Sequence, residues 1–481
     1  MEGDYEHMEN NAYIQRFLQR FQSANDEAVA FSIYDGNQVE NITYRQFLKD
    51  ILNAAGYFKK NNIHKQHVAL VAHNSYTWLV TYFAISAAGN TVVLMNPDLP
   101  VELLQRQCDY ADVTLVCVQT LPECGALAGS AKWVPFSELK SDDSFSLDAI
   151  WHHQPDETVV MMFTSGTTGK SKAVEYSAEN IQSYLDDLLE ILELPDRLLL
   201  IAPLHHILGL VSALSRLDNE QTVCIGRGSR NMLMDIPKLN PTFIPMVPLM
   251  LESIVKLLKN ARTKEQQERY LGNQLKGISV GGAGVKPDVC RCFMERGIKI
   301  HSAYGLTETS GAGTFGSLSI EKIRSVGKLY GRTQIKIADG ELLLKGPSVM
   351  KGYYKDPEET AKVIKDGWLY TGDMGYCDED GYYYITGRKK NVIILSNGEN
   401  VNPEEIEAAF GECSAIEEVL IYSDGKGICA DVFTQKPDIA AAYIKAYNAN
   451  MPMYRQVYKV NYTEEPLPKT GSGKIKRKEN L

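Results

Sequence analysis

The feature that most constrains the fold is a recurring pair: a short, unbroken apolar run bounded by Gly or Pro, then a longer segment of helical character. Val159–Phe163, Leu198–Ile201, Thr222–Ile225, Thr242–Met246 and Gly277–Val280 are such runs. Runs that are apolar throughout predict strands buried on both faces, hence parallel sheets flanked by helices. Glu179–Glu193, Pro248–Asn260 and Pro287–Arg296 supply the intervening helices. Nearer the N-terminus, Val68–Ala72 and Thr91–Leu94 predict strands around a helix over Tyr76–Ala88. No Asp, Glu, Lys or Arg occurs from Val68 to Pro97. Even so, the uninterrupted apolar helix is roughly 13 residues, short of the about 20 that a membrane span requires. A buried α/β unit is the expectation.

The 481 residues are too many for one compact core, so two units are expected. The pattern changes near residue 340, where Glu341–Lys345, Gly381–Thr386 and Val392–Leu395 predict short antiparallel strands. Asn402–Phe410 opens Asn-Pro-Glu-Glu, a helix start with Pro at the first position and acid in the first turn. The domain boundary is placed at Gly387-Arg388. Residues 1–387 form a large α/β domain of mixed and parallel sheets flanked by helices, and 388–481 a small mobile α+β lid. A net charge of −10 argues against nucleic acid as a partner. Nine scattered cysteines without a Cys-x-x-Cys pair predict reduced thiols in the cytoplasm. The acidic, polar stretch Met1–Asn11 does not read as a signal peptide.

One loop carries the chemistry. Phe163-Thr-Ser-Gly-Thr-Thr-Gly-Lys-Ser-Lys172 follows an apolar strand and is built from hydroxyls, glycines and lysines. Glycines let backbone N–H groups approach a ligand, hydroxyls add neutral donors and lysines add charge, which together suit a polyphosphate. A Walker A loop would need a glycine at 164, where Thr164 stands, so that reading fails on spacing. A dinucleotide fingerprint beginning at Gly282-Ala283-Gly284 fails likewise, because Pro287 occupies its third glycine position.

The loop instead resembles the phosphate-binding signature of the acyl-adenylate-forming (AMP-binding) superfamily, which includes acyl-CoA synthetases, peptide-synthetase adenylation domains and firefly luciferase. Its usual form is Tyr-Thr-Ser-Gly-Thr-Thr-Gly-x-Pro-Lys-Gly-Val. Here Ser171 replaces the proline and Ala173 the following glycine, while Thr164, Ser165, Gly166, Thr167, Thr168, Gly169 and Lys172 are kept. Further segments resemble the family's set in order along nearly the whole chain, from Ile42–Phe47 and Ala87–Pro97 onward. Pro203-Leu-His-His-Ile-Leu-Gly209 resembles the wall of the acid pocket, which implies His206 as a pocket residue; Gly209 and Val247, in uncharged stretches, are the further pocket candidates. A metal site at His205-His206 is not expected, since adjacent side chains point apart.

The resemblance continues with Gly281-Gly282-Ala283 against adenine and with Tyr304-Gly305-Leu-Thr-Glu-Thr309. It implies Tyr304 stacking on the purine, Thr307 donating to the α-phosphate and Glu308 holding Mg²⁺, a hard cation that prefers oxygen ligands. Asp373, in Trp368-Leu-Tyr-Thr-Gly-Asp373, matches the ribose ligand, with Arg388 as a second ribose contact. Lys390 falls at the hinge, and Gly398 in the loop lining the thiol channel. Leu467-Pro-Lys-Thr-Gly-Ser-Gly-Lys474 resembles the final motif, which makes Lys474 the catalytic lysine; Lys476, Arg477 and Lys478 are expected to be solvated.

The activity implied is attack of a carboxylate on ATP to give acyl-AMP and pyrophosphate, then transfer to the thiol of coenzyme A. Uncharged stretches after His206 and around Ile244–Val247 favour a fatty or aromatic acid, because no Phe-Asp pair is present to hold an amino acid. An o-succinylbenzoate–CoA ligase is the alternative of similar length. The compressed connection between Val419 and Val432 leaves the phosphopantetheine of an acyl carrier protein as the rival acceptor.

Overall fold

The computed structural model describes residues 13–121, 131–141, 145–164, 171–191, 197–261, 263–281, 285–395, 399–469 and 475–477. Two large sheets form the framework. The nine-stranded sheet runs Lys328–Leu329, Gly313–Ser317, Lys299–Gly305, Gly277–Gly281, Phe243–Met246, Arg197–Leu199, Thr222–Ile225, Val29–Tyr34, Val39–Thr43. The seven-stranded sheet runs Gly352–Tyr353, Lys172–Ser177, Thr158–Thr164, Thr91–Leu94, His67–Val71, Val113–Val118, Lys132–Pro135. The central strands of both are parallel and apolar, as their unbroken composition predicts; antiparallel pairs occur only towards the edges. Helices cover the faces. Tyr76–Ala87 starts where Ser75 Oγ accepts from the Trp78 N–H at 3.1 Å, and it is buried nearly all round. Among the described residues, no helix is long and apolar enough to cross a membrane.

A five-stranded antiparallel sheet follows, built from Gln334–Ala338, Glu341–Lys345, Trp368–Cys377 and Ile364–Lys365, with Tyr383–Arg388 paired to Trp368–Cys377. Beyond it, Glu418–Ser423, Ile428–Phe433 and Val457–Thr463 form a three-stranded sheet whose core is shared with helices Pro403–Phe410 and Pro437–Ala449.

Departures from the sequence expectation are local. The strand expected at Gly381 begins at Tyr383, because Asp378 Oδ1 accepts from the backbone N–H groups of Asp380 and Tyr382 and closes a turn first. Val392–Leu395 shortens to Ile393–Ile394, which among the described residues pairs with Asn400–Val401. The compressed segment of the small unit is a direct hairpin between Glu418–Ser423 and Ile428–Phe433.

Candidate functional site

The site is organised around residues 304–309, where three sheets meet. Strand Lys299–Gly305 of the nine-stranded sheet ends at an exposed Gly305. A Cβ there would lie 2.1 Å from the Gly311 carbonyl oxygen, so only glycine permits the return of the chain. The 3₁₀ turn Thr307–Thr309 follows. Tyr176 Oη donates to the Thr307 carbonyl at 2.7 Å, and the Met350 N–H donates to that of Glu308 at 2.9 Å. The seven-stranded sheet thereby fixes the orientation of a turn that grows from the nine-stranded one.

On one side stands a triad. Tyr304 Oη donates to Asp373 Oδ2 at 2.8 Å, and Arg388 Nε lies 2.5 Å from Asp373 Oδ1. Asp373 and Arg388 are cross-strand partners, and the Asp373 N–H donates to Thr371 Oγ1. The Asp373 side chain is 5% exposed, whereas the Arg388 side chain is 43% exposed, so the pair has one buried and one open member. Burial first, then the Asp373 charge, raises the Tyr304 pKa and keeps the phenol a donor.

On the other side, Glu308 Oε1 accepts from Tyr353 Oη at 2.8 Å. Lys172 Nζ sits 4.7 Å above the Tyr353 ring and 2.6 Å from Glu359 Oε2. That pairing, with Lys362 added, holds the Glu359 carboxyl at about 2. Thr164 and Lys172 are cross-strand partners at the mouth of the hydroxyl-rich loop, with Thr164 Oγ1 3.5 Å from the Lys172 carbonyl. Tyr353 and Glu359 escaped the sequence reading. Tyr353 arrives on the two-residue strand Gly352–Tyr353, paired to Lys172–Ser177 from far along the chain, and no local spacing announces it.

His206 is exposed at the start of helix Ile207–Leu217. The helix can begin there because Gly209 leaves room for the Pro203 carbonyl oxygen, 2.1 Å from where a Cβ would stand. The His205 and His206 rings lie 4.5 Å apart, against the expectation that they diverge. The alternation rule assumes extended backbone, and here the His206 N–H donates to the Pro203 carbonyl in a tight turn. Burial lowers the His205 pKa to about 3. Among the described residues, no group of three His, Cys, Asp or Glu could hold a metal ion. Val247, 39% exposed, lies between strand Phe243–Met246 and helix Pro248–Leu258.

Lys390 lies in the 3₁₀ turn Lys389–Asn391, its pKa lowered by burial and then by Arg388 and Arg477. Arg477 is not merely solvated. Its guanidinium forks onto Glu407 at 3.0 and 2.7 Å and also reaches Glu404 at 3.0 Å, which ties the tail to helix Pro403–Phe410. Ser165, Gly166, Thr167, Thr168, Gly169, Gly282, Ala283, Gly398 and Lys474 lie outside the described residues.

Known proteins resemble this chain over almost its full length. The family description "AMP-binding enzyme" matches residues 18–354, and "AMP-binding enzyme C-terminal domain" matches residues 390–481. A 2-succinylbenzoate–CoA ligase of Geobacillus sp. (strain WCH70) is 28% identical, covering 91% of this chain and 89% of its own length. A long-chain-fatty-acid–CoA ligase of Bacillus subtilis (strain 168) is also 28% identical, covering 92% and 90%. Among solved structures, the o-succinylbenzoate CoA synthetase of Bacillus subtilis, in complex with its acyl-adenylate intermediate, superposes with a TM-score of 0.81 at 25% identity, covering 96% of each chain. The same synthetase has been solved with ATP and magnesium ion, also at a TM-score of 0.81 and 25% identity, covering 96% of this chain and 98% of its own. With one family description matching residues 18–354, most of the chain, and its C-terminal companion matching 390–481, this protein belongs to the AMP-binding enzyme family.

Proposed function

We propose that the protein activates a carboxylic acid with ATP as an acyl-adenylate, releases pyrophosphate and transfers the acyl group to the thiol of coenzyme A. The observation that carries this reading is the convergence on residues 304–309 of the Tyr304–Asp373–Arg388 triad and the Glu308–Tyr353–Lys172 cluster. Asp373 offers a ribose two acceptor oxygens, and Tyr304 lays a ring beside it. Glu308 fits a magnesium ion, because Tyr353 occupies only one of its oxygens and a carboxylate oxygen suits a hard cation. When bound, that ion neutralises phosphate charge. Lys172 and the loop from Thr164 through Gly169 border the polyphosphate, with the Glu359 ion pair holding Lys172 until phosphate competes for it.

A carboxylate and ATP repel one another, so adenylation requires that both anions be neutralised and aligned. In this reading Lys474 bridges the substrate carboxylate and the α-phosphate. Thr307 donates to that phosphate, and His206, Gly209 and Val247 border the acid. The boundary at 387/388 separates the nucleotide-binding unit from the lid, Lys390 is the pivot, and Gly398 lines the thiol's entry. The names of the relatives support CoA as acceptor and a fatty or succinylbenzoate-type acid as substrate. The short hairpin Glu418–Phe433 makes an acyl carrier protein the second acceptor to test. We place the activity in the cytoplasm, where ATP, CoA and reduced thiols coexist. Pyrophosphate release across a panel of acids, with and without CoA, is the test. Release that depends on the acid, with AMP as the nucleotide product, is expected; ADP as the product would overturn the reading.

A further inference from the structure

Three cations stand in a row after Gly387, and they are not held alike. Arg388 Nε lies 2.5 Å from Asp373 Oδ1, and Lys389 Nζ lies 2.7 Å from Glu341 Oε2. Both acids are buried in the five-stranded sheet, so residues 388 and 389 are fastened to the large unit. Asn391 is fastened the other way. Its Nδ2 donates at 2.6 Å to Glu404 Oε1, in the first turn of helix Pro403–Phe410. Lys390, between the two sets of anchors, has no ion pair among the described residues. Burial, then Arg388 and Arg477, lower its pKa, against a smaller pull from Asp373. The anchors leave one residue that belongs to neither side.

Glu404 is the opposite case. Its Oε1 accepts from Asn391 and also lies 3.0 Å from Arg477 Nη2. Its Oε2 is buried and has no hydrogen-bond partner. That oxygen lies against Gly387, 2.6 Å from where a Cβ would stand, so a larger residue there would displace the carboxylate. Arg477 cannot answer it alone, because its guanidinium also forks onto Glu407 at 3.0 and 2.7 Å. Two carboxylates divide one guanidinium, and one oxygen of Glu404 is left without a donor. A buried acceptor with no donor is costly, and so is a cation crowded by its own kind. Both unanswered groups belong to one short stretch: Lys390 lies within residues 387–391, and Oε2 packs against the first of them.

We infer that Glu404 is a positioning residue for transfer to the thiol: when the lid turns about residue 390, the Lys390 ammonium moves off Arg388 and seats on Glu404 Oε2. A turn at 390 keeps the bonds of Arg388 and Lys389 to the large unit, and those of Asn391 and Arg477 to the lid helix. Only Lys390 has to exchange surroundings. Seated there, it gives the Glu404–Glu407–Arg477 group its missing positive charge and holds the arrangement in which the thiol meets the acyl-adenylate. This rests on the reading of residue 390 as the pivot and adds the partner that the pivot requires.

The test compares two rates in the full-length protein, with whichever acid of the panel above drives exchange. ATP–pyrophosphate exchange follows adenylation, and CoA consumption follows transfer. Glu404→Gln keeps the shape and removes the charge. It should lower the ratio of transfer to exchange about tenfold, the worth of one charge-assisted pair. Glu404→Asp, which keeps the charge, should recover part of that ratio. Lys390→Met should lower it by the same factor, and the double variant by no more than either change alone, because two halves of one pair do not add. Losses that multiply in the double variant would overturn the inference. So would a Glu404→Gln variant that slows both rates equally, the mark of a role confined to anchoring the tail. If Lys390→Pro blocks transfer alone while Glu404→Gln leaves the ratio unchanged, Glu404 is not the seat, though residue 390 stays the pivot. If Lys390→Pro slows both rates alike, the pivot reading falls and this inference with it. Absence of exchange with every acid would overturn the adenylation reading, and with it the inference.

Discussion

Asp373 shows how much rests on single contacts in this site. Both of its carboxylate oxygens are engaged, by Tyr304 and by Arg388, in a position almost closed to solvent. Asp373→Asn keeps the shape but removes the charge that holds Arg388. It should raise the KM for ATP roughly 30-fold, the worth of a charge-assisted hydrogen bond of about 2 kcal/mol. Steady-state kinetics with ATP varied will check this, and a KM within about twofold of wild type would remove Asp373 from the nucleotide site. The half-buried His205 makes a second residue-scale prediction. Its pKa is about 3 in the fold, against about 6.5 in an unfolded chain. Between these values the unfolded chain binds the proton and the native one does not, so stability is whole above about pH 6.5 and falls as pH drops towards 3. Melting curves from pH 7 to 4 should show this decline, and His205→Gln should flatten it, with His301 leaving a residual slope.

At the scale of elements, the turn Lys389–Asn391 and the tail beyond Ile475 matter most. Lys389 is anchored to Glu341, while Lys390 is crowded by Arg388 and Arg477. A proline at 390 fixes one backbone torsion and removes a donor. Lys390→Pro should therefore spare acyl-AMP formation, followed by pyrophosphate exchange, and block thioester formation, followed by thiol consumption. Equal slowing of both half-reactions would show that no rotation occurs at this turn. The Arg477 fork onto Glu407 and Glu404 anchors the chain three residues past Lys474. Arg477→Gln should loosen that anchorage and lower kcat for adenylation about tenfold while leaving the KM for ATP near its wild-type value. A matching rise in KM would instead mean that Arg477 acts on the nucleotide.

For the whole molecule, the proposed mechanism has Lys474, near the C-terminus, reach a triphosphate held by the large unit. Lys474→Ala should abolish acid-dependent pyrophosphate release while ATP binding, followed by calorimetry, largely persists. Near-normal release would mean that a different cation neutralises the reacting anions. Much of this was legible in the sequence alone. Unbroken apolar runs are local signals of strands buried on both faces, and Thr222–Ile225 and Glu341–Lys345 appear at the expected bounds. Loop chemistry is local too, because the glycines, hydroxyls and lysines that suit an anion fall within ten residues. What only the tertiary structure decided are meetings between distant segments. Tyr353 reaches Glu308 and Lys172 through an edge strand, His205 and His206 converge because a turn replaces extended chain, and Arg477 grips a helix some seventy residues earlier in the chain. Sequence pattern reports which side chains must leave water; which of them then share a site depends on how sheets and helices pack, and that is settled by contacts no local period encodes.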